Sequence, residues 1–316
     1  MKALITGCGG FIGSHLADLL IEKGHDVYGT TFSFDGMKNI EHIKDRIHVL
    51  ECDMEQKEQV ENIVKQVRPD IVFHLAAQSF VVPSWKDPEK TMKINVLGTL
   101  YIFEALRKFS PDAVTLVACS SAEYGSVSEN EVPINEQAEF RPSSPYAVSK
   151  VGQDMLSYLY HKAYGMKIIR MRIFNTTGPR KTFDACSDFS KGIAEIEAKK
   201  KSSLQVGNLE GLRDITDARD SVRAMYLLYE KGKHGEVYNI CTGRTHKMKD
   251  ILDKLVSMSS SDIEIIASPD SERKIDDPLF LGDNSKLSDL GWKPEISIEK
   301  SLSDMIEYWR KEMQNN

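Results

Sequence analysis

The chain begins with a short apolar segment, Lys2–Thr6, that runs directly into the glycine-rich sequence Gly7-Cys8-Gly9-Gly10-Phe11-Ile12-Gly13 and then into a helical pattern. Three glycines have separate roles in such a loop: Gly7 permits a tight turn, Gly10 lets the backbone approach a pyrophosphate, and Gly13 lets the helix pack closely on the strand. An anion then binds to free amide groups at the positive end of the helix. Strand, loop and helix in this order predict a dinucleotide-binding site, and the alternative is a glycine-rich turn without a ligand.

Short apolar runs alternate with longer amphipathic runs through the first half of the chain. Six runs are typical of buried parallel strands, at Lys2–Thr6, Asp26–Gly29, His48–Glu51, Ile71–Leu75, Val114–Cys119 and Lys167–Ile173. Helices are predicted between them, at Phe11–Lys23, Glu55–Val67, Pro88–Phe109 and Pro145–Tyr164. Because apolar runs of this length alternate with helical periodicity, the sequence predicts an α/β fold with a Rossmann-type doubly wound parallel sheet.

The pattern becomes less regular after Gly178-Pro179. Helices are predicted near Cys186–Lys199, Asp217–Glu230, Met248–Met258 and Ile298–Lys311, with short strands at Ser203–Val206 and Glu236–Ile240. We expect an NAD(P)-binding domain over residues 1–175 and a smaller C-terminal α/β substrate-binding domain over residues 176–316. A segment near 214–241 is expected to return to the large sheet.

Composition excludes several classes of function. The 41 Lys and Arg residues against 47 Asp and Glu residues give a net charge of −6, so the surface has no general attraction for nucleic acid or anionic lipid. No apolar run has the length of a membrane span, and the N-terminus lacks the pattern of a signal peptide. The five cysteines are odd in number and without CxxC spacing, which favours free thiols, no metal site and a cytoplasmic location.

The end of the second strand bears on the choice of cofactor. An acidic residue there binds the adenosine ribose of NAD, whereas cationic or hydroxyl residues admit the additional phosphate of NADP. The sequence Tyr28-Gly29-Thr30-Thr31-Phe32-Ser33 contains no acid and no arginine, and the nearest cation is Lys38. This favours NADP and does not exclude NAD. Asp53 is a candidate for contact with the adenine end, and a helix N-cap is an equal interpretation.

A tyrosine followed four residues later by a lysine is the acid–base pair of many reductases that act on alcohols and ketones. Three such pairs occur, Tyr146/Lys150, Tyr158/Lys162 and Tyr229/Lys233, so the spacing by itself does not identify a site. Tyr146 differs because Ser144 can cap a helix there and Pro145 can occupy its first turn. Lys150 then lies one turn along the same face, while Tyr158 faces elsewhere and Tyr229 lies at a helix end.

The chemistry assigns separate tasks to these residues. Tyr146 is the candidate acid for carbonyl reduction and the base for the reverse reaction, but an unperturbed phenol has a pKa near 10. The Lys150 ammonium would stabilise the phenolate. Ser120, at the end of the fifth strand, is placed to donate a hydrogen bond to the reacting oxygen. A capping motif with strand-end serines is the alternative.

At this point the sequence resembles the extended short-chain dehydrogenase/reductases of the NAD-dependent epimerase/dehydratase family. Within that family it is most similar to the branch of GDP-mannose 4,6-dehydratases and GDP-4-keto-6-deoxymannose reductases. The resemblance covers nearly the whole chain, and the segments that carry it are Leu75-Ala76-Ala77-Gln78-Ser79, Asn95-Val96-Leu97-Gly98-Thr99, Ser120-Ser121-Ala122-Glu123-Tyr124-Gly125, Arg172-Ile173-Phe174-Asn175-Thr176-Thr177-Gly178-Pro179, Val206-Gly207-Asn208-Leu209 with Arg213-Asp214, and Leu290-Gly291-Trp292-Lys293-Pro294.

The resemblance implies a complete set of site residues. The catalytic residues are Ser120, Tyr146 and Lys150. The cofactor-binding residues are Gly7, Gly10, Phe11, Ile12, Gly13, Thr30, Asp53, Met54, Leu75, Ala76, Ala77, Asn95, Tyr146, Lys150 and Phe174. The residues expected to bind a nucleoside-diphosphate sugar are Gln78, Ser120, Ser121, Asn175, Arg213, Arg273 and Asp276. Arginine suits a diphosphate because its planar fork binds phosphate oxygens in pairs, although Arg213 has a surface salt bridge with Asp214 as its alternative.

One departure from the family pattern concerns the reaction. Dehydratases of this kind carry a glutamate two residues before the tyrosine of the Ser120–Gly125 segment, and this chain has Ala122 there. Glu123 is adjacent, but neighbours along an extended strand point to opposite faces. Unless the strand has already ended, Glu123 cannot replace the missing base.

The resemblance therefore favours reduction of a 4-keto sugar, from GDP-4-keto-6-deoxymannose to GDP-rhamnose, by a homodimer with helices Pro88–Phe109 and Pro145–Tyr164 at its interface. GDP-mannose 4,6-dehydration and nucleotide-sugar epimerisation remain alternatives. A cofactor-sensing scaffold without catalysis is a rival of another class, disfavoured by the intact Ser120, Tyr146 and Lys150.

Overall fold

The computed structural model describes residues 1–267 and 279–315. Its large sheet has seven parallel strands in the order β10-β6-β5-β4-β1-β2-β3. The strands of this sheet are β1 Lys2–Thr6, β2 Asp26–Thr31, β3 His48–Glu51, β4 Ile71–His74, β5 Val114–Ser120, β6 Ile168–Ile173 and β10 Val237–Ile240. The predicted doubly wound parallel sheet is confirmed.

Helices cover both faces of this sheet. The helices of the chain are α1 Phe11–Glu22, α2 Lys57–Val67, α3 Val81–Lys86, α4 Pro88–Met92, α5 Gly98–Phe109, α6 Pro145–Tyr164, α7 Ala185–Glu197, α8 Ala218–Lys231, α9 Met248–Ser257, α10 Ser285–Ser288 and α11 Ile298–Asn315. Side chains of α1 and α8 pack in one core with Ile5 and Phe73, while α2 and α5 pack in another with Leu4 and Val72. Strand neighbours thus point into different cores, which explains why these strands are continuously apolar.

The C-terminal part forms two smaller sheets. One contains β7 Asn175–Thr177, β9 Leu212–Asp217, β11 Thr245–Lys247 and β13 Leu279–Phe280, and the other pairs β8 Ser203–Val206 with β12 Glu264–Ala267. Helices α7, α9 and α11 enclose a third core here. Of the expected return segment, β10 lies in the large sheet and β9 in the smaller one. The division at residue 175 stays a prediction.

The predicted helix Pro88–Phe109 is divided by a π-helical turn at Lys93–Leu97 between α4 and α5. Such turns insert a residue into the helix and occur frequently at functional sites. Sequence periodicity gave no sign of this turn, because the apolar positions continue through it. Its consequence for the buried side chain of Asn95 is described below.

In the described ranges, 1–267 and 279–315, no helix combines the length and apolar character needed to cross a bilayer. All five cysteines are buried and unpaired, including Cys186, which lies in a helix rather than beside a strand. Burial raises the pKa of the Cys52 thiol to about 11, so its unreactive thiol form predominates.

Candidate active site

Several of the expected site residues lie at one edge of the large sheet. Parallel strands β1, β4, β5 and β6 end there at Thr6, His74, Ser120 and Ile173. Register places Thr6 opposite His74 and Ser120 opposite Ile173. The strand order reverses beside β1, and ligands of open α/β sheets bind in the crevice at such a switch point.

The glycine loop has the geometry that its sequence predicts. Gly7 has a φ of +75°, and a methyl group added there would lie 3.1 Å from the Cα of Ala76. Gly10 precedes α1 without a capping side chain, and the first amide groups of a helix lack intrahelical acceptors. The amides of Phe11, Ile12 and Gly13 thus form a cradle that fits the pyrophosphate of a dinucleotide.

Gly13→Ala should disrupt this cradle, because the added methyl group would lie 2.2 Å from the carbonyl oxygen of Gly7. We expect a loss of about 1–3 kcal/mol in unfolding free energy together with weakened binding of NADPH, measured by urea unfolding and by ligand fluorescence. Gly36→Ala is the matched control, since its methyl group would meet only Thr31 Oγ1, at 3.6 Å. Equal NADPH affinity in both variants would contradict the assignment of the cradle.

Two threonine hydroxyl groups form hydrogen bonds that fix the glycine loop and the segment next to it. Thr30 is 3% exposed, and its hydroxyl oxygen accepts a hydrogen bond from the Gly7 amide at 3.3 Å. The Thr6 hydroxyl oxygen accepts from the amides of Leu75 and Ala76 at 3.1 and 3.0 Å. The bond to Thr30 therefore fixes the position of Gly7 in the loop, and the bonds to Thr6 hold the 75–77 segment against the end of β1.

Asp53 was expected either to contact the adenine end of a cofactor or to cap a helix, and the structure tests the second interpretation. Its Oδ1 accepts from the amide of Glu55 at 2.9 Å, whereas the N-cap of α2 is Gln56. The N-cap interpretation is wrong, because Asp53 lies three residues before the N-cap and its carboxylate instead closes a turn with Glu55. The contact of Asp53 with the adenine end stays a prediction. Met54 is buried, and a methyl group added at Gly98 would lie 3.2 Å from its Cβ. Lys38, the expected nearby cation, is ion-paired with Glu312.

Ser120, Tyr146 and Lys150 are brought together at the ends of β5 and the start of α6. The helix begins as expected: the Ser144 hydroxyl accepts from the Ala147 amide at 3.1 Å, with Pro145 in the first turn. The Lys150 Nζ lies 5.9 Å from the centre of the Tyr146 ring. It donates to the carbonyl oxygen of Ala118 at 2.7 Å, which ties the helix to β5.

Burial changes the proton affinity of both side chains. It raises the pKa of Tyr146 to about 12, although the Ser120 hydroxyl acts in the opposite direction. It lowers the pKa of Lys150 to about 8, with Cys119 and Glu123 opposing. Tyr146 is therefore a neutral phenol at pH 7, which is the form that donates a proton. The pKa of Lys150 lies close to neutral pH.

The two other tyrosine–lysine pairs lie away from this edge. Tyr158 is 44% exposed and contacts Lys162 at 5.7 Å on the outer face of α6. Tyr229 lies near the C-terminal end of α8 and contacts Met1. Helix position thus distinguishes Tyr146 from the two other tyrosines.

The family model described as GDP-mannose 4,6 dehydratase matches residues 4–305. The chain belongs to this family. The GDP-6-deoxy-D-mannose reductase of Pseudomonas aeruginosa is 30% identical over 311 residues, covering 98% of this chain and 97% of that protein.

Solved structures agree with this membership. RMD from Pseudomonas aeruginosa, complexed with NADPH, is 28% identical with a TM-score of 0.85 and covers 98% of this chain and 99% of its own. The UDP-glucose 4-epimerase of Thermotoga maritima, with UDP-glucose, is 30% identical with a TM-score of 0.90 and covers 99% of this chain and 100% of its own. The chain is an NAD(P)-dependent nucleotide-sugar oxidoreductase of the extended short-chain dehydrogenase/reductase type.

In this member of the GDP-mannose 4,6-dehydratase family, β5 ends at Ser120 and a 3₁₀ turn covers Ser121–Glu123. The strand has thus ended before Glu123, which removes the alternation argument. Another constraint replaces it: Glu123 is 0% exposed, and its Oε1 accepts from the Ser120 amide at 2.8 Å. Ser121 is also buried. Ala122 has no carboxylate, and the carboxylate of Glu123 is buried, so neither residue offers an accessible base to a substrate.

Next to this turn lies a buried ionic cluster that the sequence did not predict. Arg172 lies 3.0 Å from Asp154 and 3.3 Å from Glu123, and Arg170 lies 2.8 Å from Asp154. Desolvation raises the pKa of Glu123 to about 8, with the charge of Asp154 adding to it and Arg172 opposing. The available sequence signal was the pair of arginines inside an otherwise apolar strand.

Asn95 lies in the π-helical turn and is 0% exposed. Its Oδ1 accepts from the Gln78 amide at 2.8 Å, and its Nδ2 donates to the Gln78 carbonyl and the Ser149 hydroxyl at 3.0 and 2.9 Å. The Gln78 side chain bonds to Thr91 and to the amide of Phe80. Asn95 therefore holds the 76–78 loop, with Ala77 half-buried at its centre.

The remaining expected residues are divided between surface and core. Asn175 is exposed and bonds weakly to the carbonyl of Asp214 at 3.4 Å. The Phe174 ring packs with Phe280, at 5.4 Å between centroids, and its amide and carbonyl are bonded within the protein; its contact with a cofactor stays a prediction. Arg273 and Asp276 lie outside the described residues.

Arg213 is half-buried on β9. Asp214, which was its alternative salt-bridge partner, forms hydrogen bonds with other residues. The carboxylate of Asp214 is fully buried and accepts from the amides of Thr242 and Gly243 at 2.8 and 2.9 Å. Successive strand residues face opposite sides. The surface salt bridge between Arg213 and Asp214 is therefore wrong.

Proposed function

We propose that this enzyme reduces a nucleoside-diphosphate 4-keto-6-deoxyhexose with NADPH, and that the sugar is GDP-linked, with GDP-4-keto-6-deoxymannose as substrate and GDP-rhamnose as product. The observation that carries the proposal is the turn after β5. Ala122 occupies the position of the dehydratase base, and the Glu123 carboxylate is held by the Ser120 amide and faces Arg172. Without a free base, loss of water is disfavoured and reduction remains.

The described residues have separate parts in this reaction. A bound reduced nicotinamide supplies a hydride to C4 of the sugar. The Tyr146 hydroxyl donates its proton to O4, and the Ser120 hydroxyl orients the carbonyl by hydrogen bonding. The Lys150 ammonium stabilises the charge on Tyr146 after the transfer. Arg213 is proposed to hold the diphosphate with Asn175. The reaction agrees with the reductase activity named for the Pseudomonas relative.

The test uses purified enzyme, NADPH and GDP-4-keto-6-deoxymannose. We expect absorbance at 340 nm to fall as a GDP-6-deoxyhexose forms, and no NADPH consumption would overturn the proposal. GDP-mannose supplied without a keto sugar tests the second candidate, which the family model supports by name. Formation of a 4-keto sugar without net consumption of cofactor would identify a dehydratase, and interconversion of two stereoisomers would identify an epimerase.

NADP rather than NAD is proposed as the cofactor. The end of β2 has no carboxylate to repel a 2′-phosphate, and the structure of RMD contains NADPH. Lys38 is 64% exposed in its side chain and is ion-paired with Glu312, whose side chain is 15% exposed, so a 2′-phosphate would compete with this carboxylate for Lys38. Comparison of dissociation constants for NADPH and NADH decides between the cofactors.

A homodimer is proposed through the outer face of α6. Met155 and Leu159 are 39% and 52% exposed, and Leu97 beside α5 is 38% exposed. Leu159→Lys should raise the dimer dissociation constant at least about tenfold, because it places a charge within an apolar interface. Light scattering after size exclusion measures this, with Ile266→Lys as a control at an exposed apolar site on β12. A monomeric native enzyme would contradict the proposal.

The five buried free thiols agree with a reducing compartment. We therefore propose the cytoplasm as the location.

A further inference from the structure

A continuous chain of buried hydrogen bonds lies behind Lys150. Its Nζ donates to Oε1 of Gln153 at 2.7 Å, and Nε2 of Gln153 donates to the Thr99 hydroxyl at 2.9 Å. Nε2 of His74 also lies 2.9 Å from the Thr99 hydroxyl, and Nδ1 of His74 lies 2.8 Å from the Thr6 hydroxyl. The chain thus connects α6, α5, β4 and β1.

Chemistry fixes the direction of every bond in this chain. An ammonium only donates, so the oxygen of the Gln153 amide must face Lys150 and its nitrogen must face Thr99. The Thr99 hydroxyl donates its single proton to the carbonyl of Asn95 at 2.6 Å and accepts the other two bonds. His74 therefore carries its proton on Nε2.

The far end of the chain agrees with this direction. The Thr6 hydroxyl oxygen accepts from two backbone amides, which leaves its proton to be donated to Nδ1 of His74. A charged imidazole would present a second N–H to an oxygen that already accepts twice. Burial and the nearby Lys150 lower the pKa of His74 to about 3, in agreement with a neutral ring.

Water has little access to any member of the chain. Thr6, His74 and Thr99 are 0% exposed, Gln153 is 1% exposed and Lys150 is 3% exposed. If the Gln153 amide rotated, it would turn an N–H towards the ammonium and leave buried groups without partners. The amide is thus locked in the one orientation that offers an acceptor to Lys150.

We propose that Gln153 is a positioning residue for Lys150: its locked amide oxygen keeps the lysine charged and directs the remaining N–H of the ammonium. The proposal rests on the proposed function for the role of Lys150, but its effect on the lysine is independent of the substrate. Two N–H groups are bound to Ala118 and Gln153, and one remains for a further acceptor.

Other ionisable groups also face Lys150, and they remain unchanged when Gln153 is replaced. They are Tyr146 on the same helix, Cys119 on β5, Glu123 in the turn that follows, and His74 on β4. A comparison of variants at Gln153 therefore isolates the contribution of its acceptor from the contributions of these groups.

The test follows the titration of Lys150 by two-dimensional NMR of enzyme with ¹³Cε-labelled lysine, the signal being assigned by its loss in Lys150→Met. Gln153→Met removes the acceptor and should lower the lysine pKa by about one unit, because a hydrogen bond to the charged form is lost. Gln153→Glu adds an anionic acceptor and should raise it. Thr115→Val, at a buried hydroxyl on β5 without a partner, is the control and should leave the pKa unchanged.

Opposite shifts in the two variants support the positioning role, since loss of packing would move both in the same direction. A Lys150 pKa that is the same in folded Gln153→Met and Gln153→Glu enzymes overturns it. The alkaline limb of kcat/KM should shift in parallel with the NMR titration. If the native enzyme reduces no keto sugar, the proposed function fails, while the NMR comparison still decides the role of Gln153.

Discussion

Tyr146→Phe should bind nucleotide and cofactor normally but reduce the keto sugar about 10²–10⁴-fold more slowly, the usual contribution of a general acid. The variant keeps the ring and removes only the hydroxyl that is proposed to donate a proton to O4. Steady-state assays with NADPH and GDP-4-keto-6-deoxymannose measure kcat, and fluorescence titration measures NADPH binding. The expected pattern is a loss of kcat with little change in the NADPH dissociation constant.

Tyr158→Phe is the matched control on the same helix. Its ring is 44% exposed and lies on the outer face, so its kcat should remain within about twofold of the native value. Equal activity of Tyr146→Phe and native enzyme would remove Tyr146 from the reaction. Unchanged biological activity of Tyr146→Phe would support a scaffold that binds the cofactor without catalysis.

Arg172→Met should destabilise the protein by about 3–5 kcal/mol, because it removes the cation paired with buried Glu123 and leaves buried Asp154 with Arg170 alone. The guanidinium group lies 3.0 Å from Asp154 and 3.3 Å from Glu123, and it also donates to the Tyr124 hydroxyl at 3.0 Å. Urea unfolding measures the loss. Arg141→Met removes a surface arginine paired with Glu131 and should cost no more than about 1 kcal/mol.

The deficit of Arg172→Met should grow with pH. Burial raises the folded-state pKa of Glu123 to about 8, well above the ordinary carboxyl value, so the folded state binds a proton that the unfolded state releases. The associated stability is complete below the unfolded pKa and is lost as the pH rises through the folded value. Removing the cation raises this pKa further. A deficit that is equal at pH 5 and pH 8.5 would contradict the proposed role of Glu123.

Local features of the sequence were sufficient for the dinucleotide loop and for the first residues of α6. The loop requires glycine at positions fixed by its own backbone, as the +75° φ of Gly7 illustrates. Ser144 and Pro145 likewise start a helix through bonds within four residues. Predictions of this kind succeed because the interactions that decide them are short-range.

Residues that act through distant partners could not be found in this way. No sequence motif marks Gln153 as a site residue, and its hydrogen-bond partner Thr99 lies 54 positions away along the chain. The same separation joins Asn95 to Ser149, through a π-helical turn without a sequence signature. The packing of Phe174 against Phe280 was likewise out of reach, because it depends on a strand from the C-terminal part.

The sequence by itself determined the alternation that builds the parallel sheet, the glycine loop before α1, and the choice of Tyr146 and Lys150 as the proposed acid–base pair. Only the tertiary structure decided which charges are buried together, because charge burial depends on which strands become neighbours. It placed Glu123 against Arg172 rather than in the open crevice, and it placed Gln153 against Lys150. Both outcomes result from desolvation, whose cost requires each buried charge to have a partner that a single strand or helix cannot supply.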